Sequence, residues 1–237
     1  MKRKSLFLLC VMAMMCVGFS AQAAKTTTSK TIDVKAFTSI ISNAVANIIF
    51  TQGNTTSVVV KGNQDAVNRT KVEVKNGQLQ INTTGNDKNN QNSSDVVIYV
   101  TAPNISDVNM SGVGSFKING DYKGDDLKMN INGVSNVDAK KLDVKNITVN
   151  GNGVGNVNLG GKAQTANLGN NGVGNIDAKN LKVQDVKANN NGIGDINCHA
   201  EKSIDTKNSA VGNVNYYGQP SNTKVSNNGM GTVNRKK

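Results

Sequence analysis

Apolar residues in the C-terminal half of the chain follow a pattern that returns about every 20 residues. Its signature is a short, glycine-flanked segment. Gly112-Val113-Gly114-Ser115-Phe116 and Gly133-Val134-Ser135-Asn136-Val137 open the series. Gly153-Val154-Gly155-Asn156-Val157, Gly172-Val173-Gly174-Asn175-Ile176 and Gly192-Ile193-Gly194-Asp195-Ile196 follow. Ala210-Val211-Gly212-Asn213-Val214 and Gly229-Met230-Gly231-Thr232-Val233 complete it. The seven copies stand 21, 20, 19, 20, 18 and 19 residues apart. A fixed period of this size marks stacked units, each burying its apolar face on the next.

Alignment on the last apolar residue of each copy brings out further columns. Leu127, Ile147, Ala166, Val186 and Ile204 lie ten residues upstream, and Val108, Met129, Val149, Leu168, Ala188 and Val225 lie eight upstream. Ile118, Ala139, Leu159, Ala178, Cys198 and Tyr216 lie two downstream. Polar residues such as Asp138, Asn158, Asp177 and Asn197 are interleaved, so the period of two sends one set inward and the other to solvent. Val113 and Phe116, and their equivalents, are three apart, which breaks the alternation of a straight strand. The glycines between them (Gly114, Gly155, Gly174, Gly194, Gly212 and Gly231) can take the positive φ of a corner. The repeat therefore reads as strand, glycine corner and second strand, with apolar residues facing inward from both strands.

Five residues before each anchor stand Ser111, Asn132, Asn152, Asn171, Asn191, Ser209 and Asn228. An Asn-rich run is compatible with a metal or sugar site. Its register with the turn favours a structural ladder of amides bonded from coil to coil.

The predicted fold is all-β: a single-stranded, right-handed parallel β-helix with coils of about 20 residues. At ~4.8 Å per coil, seven coils make a rod roughly 30–35 Å long. An antiparallel sandwich needs hairpin signals about every ten residues, which this half lacks. Twenty-four glycines, two prolines and no tryptophan agree with strands and tight turns. No stretch has a convincing helical period.

Residues 24–105 are expected to form a β-rich cap with the first coils, and residues 106–237 the repeat helix. Strands are predicted at Ile32 to Phe37, Val45 to Phe50, Ser57 to Lys61 and Val96 to Thr101. Val72 to Ile81 is a hairpin turning at Asn76-Gly77, and Thr83 to Ser94 is a polar, mobile loop. Ala44-Val45-Ala46-Asn47-Ile48 is a worn copy of the repeat, so the first coil starts there.

Residues 1–23 read as a signal peptide. Lys2, Arg3 and Lys4 precede an apolar run from Leu6 to Phe19, and Ala21-Gln22-Ala23 offers the small residues of a cleavage site at Ala21 and Ala23. The run is too short to span a bilayer, and no later segment is hydrophobic enough to anchor the mature chain. Cys10 and Cys16 follow the bulky Leu9 and Met15, unlike lipid-modified cysteines. Cleavage after Ala23 leaves Cys198 without an intramolecular disulfide partner and a charge of 24 basic minus 16 acidic residues, or +8. This balance favours anionic partners.

Lys140, Lys179, His199 and Lys236 are expected on one outward column, a candidate face for an anionic ligand such as a surface glycan. A solvated face that discourages edge pairing is the plainer reading. Asp138 and Asp177 share a column two coils apart, and Asp125-Asp126 is a doublet on a turn, so no acid/base pair is apparent. Calcium would need an Asp in each turn, where this chain has Asn. Cys198 and His199 point to opposite faces and cannot share one ion. No cofactor is called for. Nucleic acid is disfavoured by the export signal and the scarcity of aromatics.

The chain resembles the putative auto-transporter adhesin, head GIN domain family, common in Bacteroidetes. Phe37-Thr38-Ser39-Ile40, Ile49-Phe50-Thr51-Gln52-Gly53, Val58-Val59-Val60, the hairpin, the Val96 to Thr101 strand and the repeats carry the resemblance over residues 36–235. It implies an extracytoplasmic β-helix with an adhesive role and supplies no catalytic residues. Solenoid and cap occupy the mature chain, leaving no stretch for a translocating barrel. The expected function is an exported, non-catalytic binding or structural module, adhesin-like, in the periplasm or at the cell surface of a Gram-negative bacterium. Its expected partners are a surface glycan or an envelope protein. The alternative is a carbohydrate-active β-helix enzyme of the lyase or hydrolase type.

Overall fold

A computed structural model of the chain describes residues 27–85 and 96–237. The signal-peptide expectation, including Ala21 and Ala23, lies outside the described residues, as do positions 86–94 of the polar loop.

The repeats stack in register. Strands β8 (Asp107–Met110), β9 (Val113–Ile118), β10 (Tyr122–Ile131), β11 (Val134–Gly151), β12 (Val157–Asn170), β13 (Ile176–Asn190) and β14 (Ile196–Asn208) pair in parallel with their counterparts one coil on. β15 (Val214–Tyr217), β16 (Asn222–Asn227) and β17 (Val233–Arg235) continue the stack. The result is an all-β solenoid of about 6 turns, about 20 residues apart. Stacked coils enclose one face of every strand and leave the other in solvent, so the inward columns must be apolar.

They are. Leu127, Ile147, Ala166, Val186 and Ile204 are buried, as are Val108, Met129, Val149, Leu168 and Ala188. Ile118, Ala139, Leu159, Ala178 and Cys198 line the opposite wall. Val225, expected inward, is exposed, because among the described residues no coil lies beyond β16 to cover it.

The solenoid begins earlier than its repeats. β2 (Ser39–Ser42) and β3 (Val45–Gln52) stack on β8 and β9, with Val45 opposite Val113 and Ile48 opposite Phe116. On their other side lie β6 (Gln78–Thr83) and β7 (Val97–Ala102), also parallel. Antiparallel strands then finish this end: β5 (Thr70–Lys75) on β6, β4 (Ser57–Gly62) on β7, and β1 (Thr28–Ile32) on β4. A solenoid end closed this way presents no parallel edge for another chain to extend.

The β5–β6 hairpin turns at Asn76 and Gly77, both at positive φ (50° and 72°), as a two-residue turn requires. The strand expected at Ile32 to Phe37 is instead β1, ending at Ile32, where its pairing with β4 stops at Val58. The chain then crosses toward the first coil and buries Phe37. A helix α1 (Gln64–Arg69) joins β4 to β5, capped by the Asn63 side chain accepting from Ala66 N–H at 2.8 Å.

The glycine corner nests tightly on the coil before it. Gly155 has φ +146°, and a Cβ there would lie 2.0 Å from the Ser135 carbonyl oxygen. No other residue fits.

Candidate ligand-binding faces

The corner sorts asparagines into three ladders. Asn132, Asn152, Asn171 and Asn191 form one, each amide nitrogen donating to the Oδ1 of the asparagine a coil earlier: to Asn109 at 3.0 Å, then Asn132 at 2.9 Å, Asn152 at 3.0 Å and Asn171 at 3.0 Å. Their side chains, with that of Asn228, are exposed rather than enclosed in the turn. The enclosed column is one residue upstream, at Asn170, Asn190 and Asn208. Each Nδ2 bridges the corner to the carbonyl four residues on: Asn170 to Gly174 at 3.2 Å, Asn190 to Gly194 at 2.8 Å and Asn208 to Gly212 at 3.0 Å. The third ladder caps backbone. The Oδ1 atoms of Asn136, Asn156 and Asn175 accept from the N–H of Asn156, Asn175 and Asp195 at 2.9, 3.0 and 2.8 Å.

The residue buried at the corner stands three before the first apolar residue of the motif (Met110, Ile131, Asn170, Asn190 and Asn208), and that first apolar residue is turned out. Val113, Val134, Val154, Val173, Ile193 and Val211 are 47–55% exposed and Met230 87%. The expectation that this column faces the core is corrected. Only the second apolar residue of each motif, from Phe116 to Val214, is buried.

The proposed basic column is also redrawn. Lys140 and Lys179 line one depression of about 340 Å³ with Asn158, Gly160 and Asp177. Gly160 leaves the gap between them. Lys140 pairs with Asp138 at 3.2 Å and Lys179 with Asp177 at 3.0 Å, and the hydrogen bond that Lys179 donates to Asp177 raises the Lys179 pKa. His199 is not in this column. A register shift after Ala178 sets it opposite Lys182, and Tyr217 follows on its other side. Lys236 lines a separate depression with Gly218, Gln219 and Arg235.

A longer groove, of about 560 Å³, runs across successive coils on the next face. Gly124, Val144 and Ala163 stand in register along its floor, and Lys123, Lys145, Lys162 and Lys182 line it with Asp125, Asp143 and Glu201. Lys145 and Lys162 pair with Asp125 at 2.9 Å and Asp143 at 3.3 Å. Lys123 and Lys182 have no carboxylate within ion-pair distance among the described residues. Sequence alignment missed this column, although Lys123, Lys162 and Lys182 recur at the coil period. The differences in repeat length are absorbed at the preceding corner, after Ala139, Asn158 and Ala178, so alignment on the glycine motif loses register there.

For acid/base chemistry the arrangement offers little. Asp138 and Asp177 are each held by a lysine, with Asn158 standing between them in the ladder. Cys198 is buried, which pushes its thiol up to about 12, while His199 lies on the other face. Among the described residues no three His, Cys, Asp or Glu side chains gather as a metal site. No helix among them is long and apolar enough to cross a membrane.

Solved structures share this architecture. A putative adhesin from Bacteroides fragilis NCTC 9343 is 34% identical, with a TM-score of 0.86 over 90% of this chain and 98% of that one. A putative lipid binding protein and a putative adhesin, both from Parabacteroides distasonis ATCC 8503, share the fold at 19% and 22% identity. Their TM-scores are 0.67 and 0.62, over 89% of this chain and 97% of each of theirs. No curated protein matches the chain. The family described as putative auto-transporter adhesin, head GIN domain, matches residues 36–220, short of the last coil. With four-fifths of its length inside that match and a 34% identical relative of the same build, the chain belongs to the putative auto-transporter adhesin, head GIN domain family.

Proposed function

We propose that this chain is an exported, non-catalytic binding module, adhesin-like, that works in the periplasm or on the surface of a Gram-negative bacterium. Its ligand on this reading is an anionic surface glycan or a similarly charged envelope protein. The observation that carries it is the groove lined by Lys123, Lys145, Lys162 and Lys182 over an apolar floor. Parallel coils repeat every ~4.8 Å, and Lys123, Lys162 and Lys182 share one register column with Asp143 between the first two, a rigid linear array suited to a repeating polymer. The depression between Lys140 and Lys179 is the secondary face, because both of its ammonium groups are engaged by Asp138 and Asp177. In the groove, by contrast, only Lys145 and Lys162 are paired and Lys123 and Lys182 are not, among the described residues.

A glycan array and envelope fractions, probed with the mature chain, test the proposal. Lys162→Glu with Lys182→Glu should abolish the strongest acidic-glycan signals, while Lys140→Glu with Lys179→Glu should reduce them less. Equal binding by the first pair and wild type would remove the groove from the account. Intact mass of the fractionated protein tests export: a chain beginning at Ala24 is expected, and a retained N-terminus would contradict it.

A further inference from the structure

The exposed aliphatic ridge from Val113 to Met230 has no explanation in the fold. Val154 N–H donates to the Gly133 carbonyl at 2.9 Å, and its own carbonyl accepts from Ser135 N–H at 2.9 Å. Val173 is held in the same way by Gly153 and Gly155, at 2.9 and 3.0 Å. These bonds use backbone alone, and threonine would serve such a ladder as well. Roughly half of each valine nonetheless stays in water.

The surroundings of the ridge are as selective as the ridge itself. The six positions per coil that make the corner (110–115, 131–136, 151–156, 170–175, 190–195, 208–213 and 227–232) contain one charged residue in 42, Asp195. At the 18% charged content of the whole chain, seven or eight would fall there. Asp195 is itself occupied, accepting from Asn213 N–H at 2.7 Å. An apolar centre in a charge-depleted surround is the composition of an interface core.

We propose that two copies of this chain pack face to face along the ridge, about a two-fold axis. Two mature chains of net charge +8 repel one another, and the strip is a face they can bring together without opposing lysines. Both ridges have the same coil spacing, so they interlock along their whole length, as an isologous contact requires. Six spacings of ~4.8 Å and a width of about six residues give roughly 600 Å² per copy, between a packing contact and the ~800 Å² of a stable complex. The dimer is accordingly reversible. It leaves the lysine groove uncovered on both copies, and a bivalent particle gains avidity for a polymer.

Sedimentation equilibrium of the mature chain from about 1 μM to about 500 μM covers the affinity range of such an interface. A concentration-dependent monomer–dimer equilibrium is expected. Val154→Lys with Val173→Lys opposes like charges at its centre and should weaken association about a hundredfold or more, with an unchanged circular dichroism spectrum. Val173 is the middle rung, so the two-fold sets it beside its own copy. Val173→Cys should form a disulfide-linked dimer on mild oxidation while buried Cys198 stays reduced, and this result stands even if the lysine pair misfolds. A chain monomeric throughout the range, association untouched by the lysine pair, or no cross-link at position 173 would overturn the proposal. So would a monomer that coats phosphatidylethanolamine–phosphatidylglycerol vesicles through the same valines.

Discussion

The side-chain nitrogen of Asn190 donates to the carbonyl oxygen of Gly194 at 2.8 Å, across the inside of the glycine corner. Asn190 is fully buried, and its Oδ1 accepts from Asn170 at 3.1 Å. Asn191, the next residue, donates to Asn171 at 3.0 Å on the exposed side. Asn190→Asp removes the donor and encloses a charge, so it should cost about 3 kcal/mol or more. Asn191→Asp loses one exposed hydrogen bond and should cost under about 1 kcal/mol. Urea melts of the two variants check the difference, and equal losses would mean that the inner ladder does not hold the corner.

At Gly155 and Gly174 both φ, +146°, and space exclude a side chain: a Cβ would meet the carbonyl oxygen of Ser135 at 2.0 Å or of Gly155 at 1.9 Å. Alanine at either position should destabilise by about 2–3 kcal/mol or more, combining backbone strain with overpacking. Gly77 has φ +72° with nothing within 4 Å of a Cβ, so Gly77→Ala carries the strain alone and should cost about 1 kcal/mol. Thermal melts rank the three.

Much of this was legible in the repeat. The period, the inward columns from Leu127 to Ile204 and the Asn76-Gly77 hairpin follow from apolar spacing and turn chemistry alone. The outward turn of Val113 and its equivalents did not. Alternation cannot tell that the residue three before it, Met110 in one coil and Asn190 in another, takes the inside of the corner in place of the valine or isoleucine. Nor could the sequence align Lys123 with Lys162 and Lys182, because changes in repeat length are hidden at a corner between anchor and groove. Helix α1 was too short to show a period.

Burial raises the Cys198 thiol from 9.0 to about 12. Between those values the unfolded chain has lost its thiol proton and the folded chain keeps it. Stability contributed by the buried thiol is therefore complete below pH 9 and declines as pH rises toward 12, by roughly 1.4 kcal/mol per unit. Denaturant melts of wild type and Cys198→Ala should show this slope in their difference. A difference independent of pH between 9 and 12 would place the thiol in contact with solvent.

The most direct test of the binding account is the affinity of the mature chain for an anionic glycan found on the array, measured at low and high salt while the polymer's length is followed in the same samples. The Debye length falls from ~10 Å at 0.1 M to ~3 Å at 1 M, so an array of dispersed lysines loses its reach. The account predicts much weaker binding at 1 M, and polymer of unchanged length at both salts. Salt-independent binding would contradict the lysine groove, and shortening of the polymer, lost in Asp138→Asn or Asp177→Asn, would replace the binding module with an enzyme.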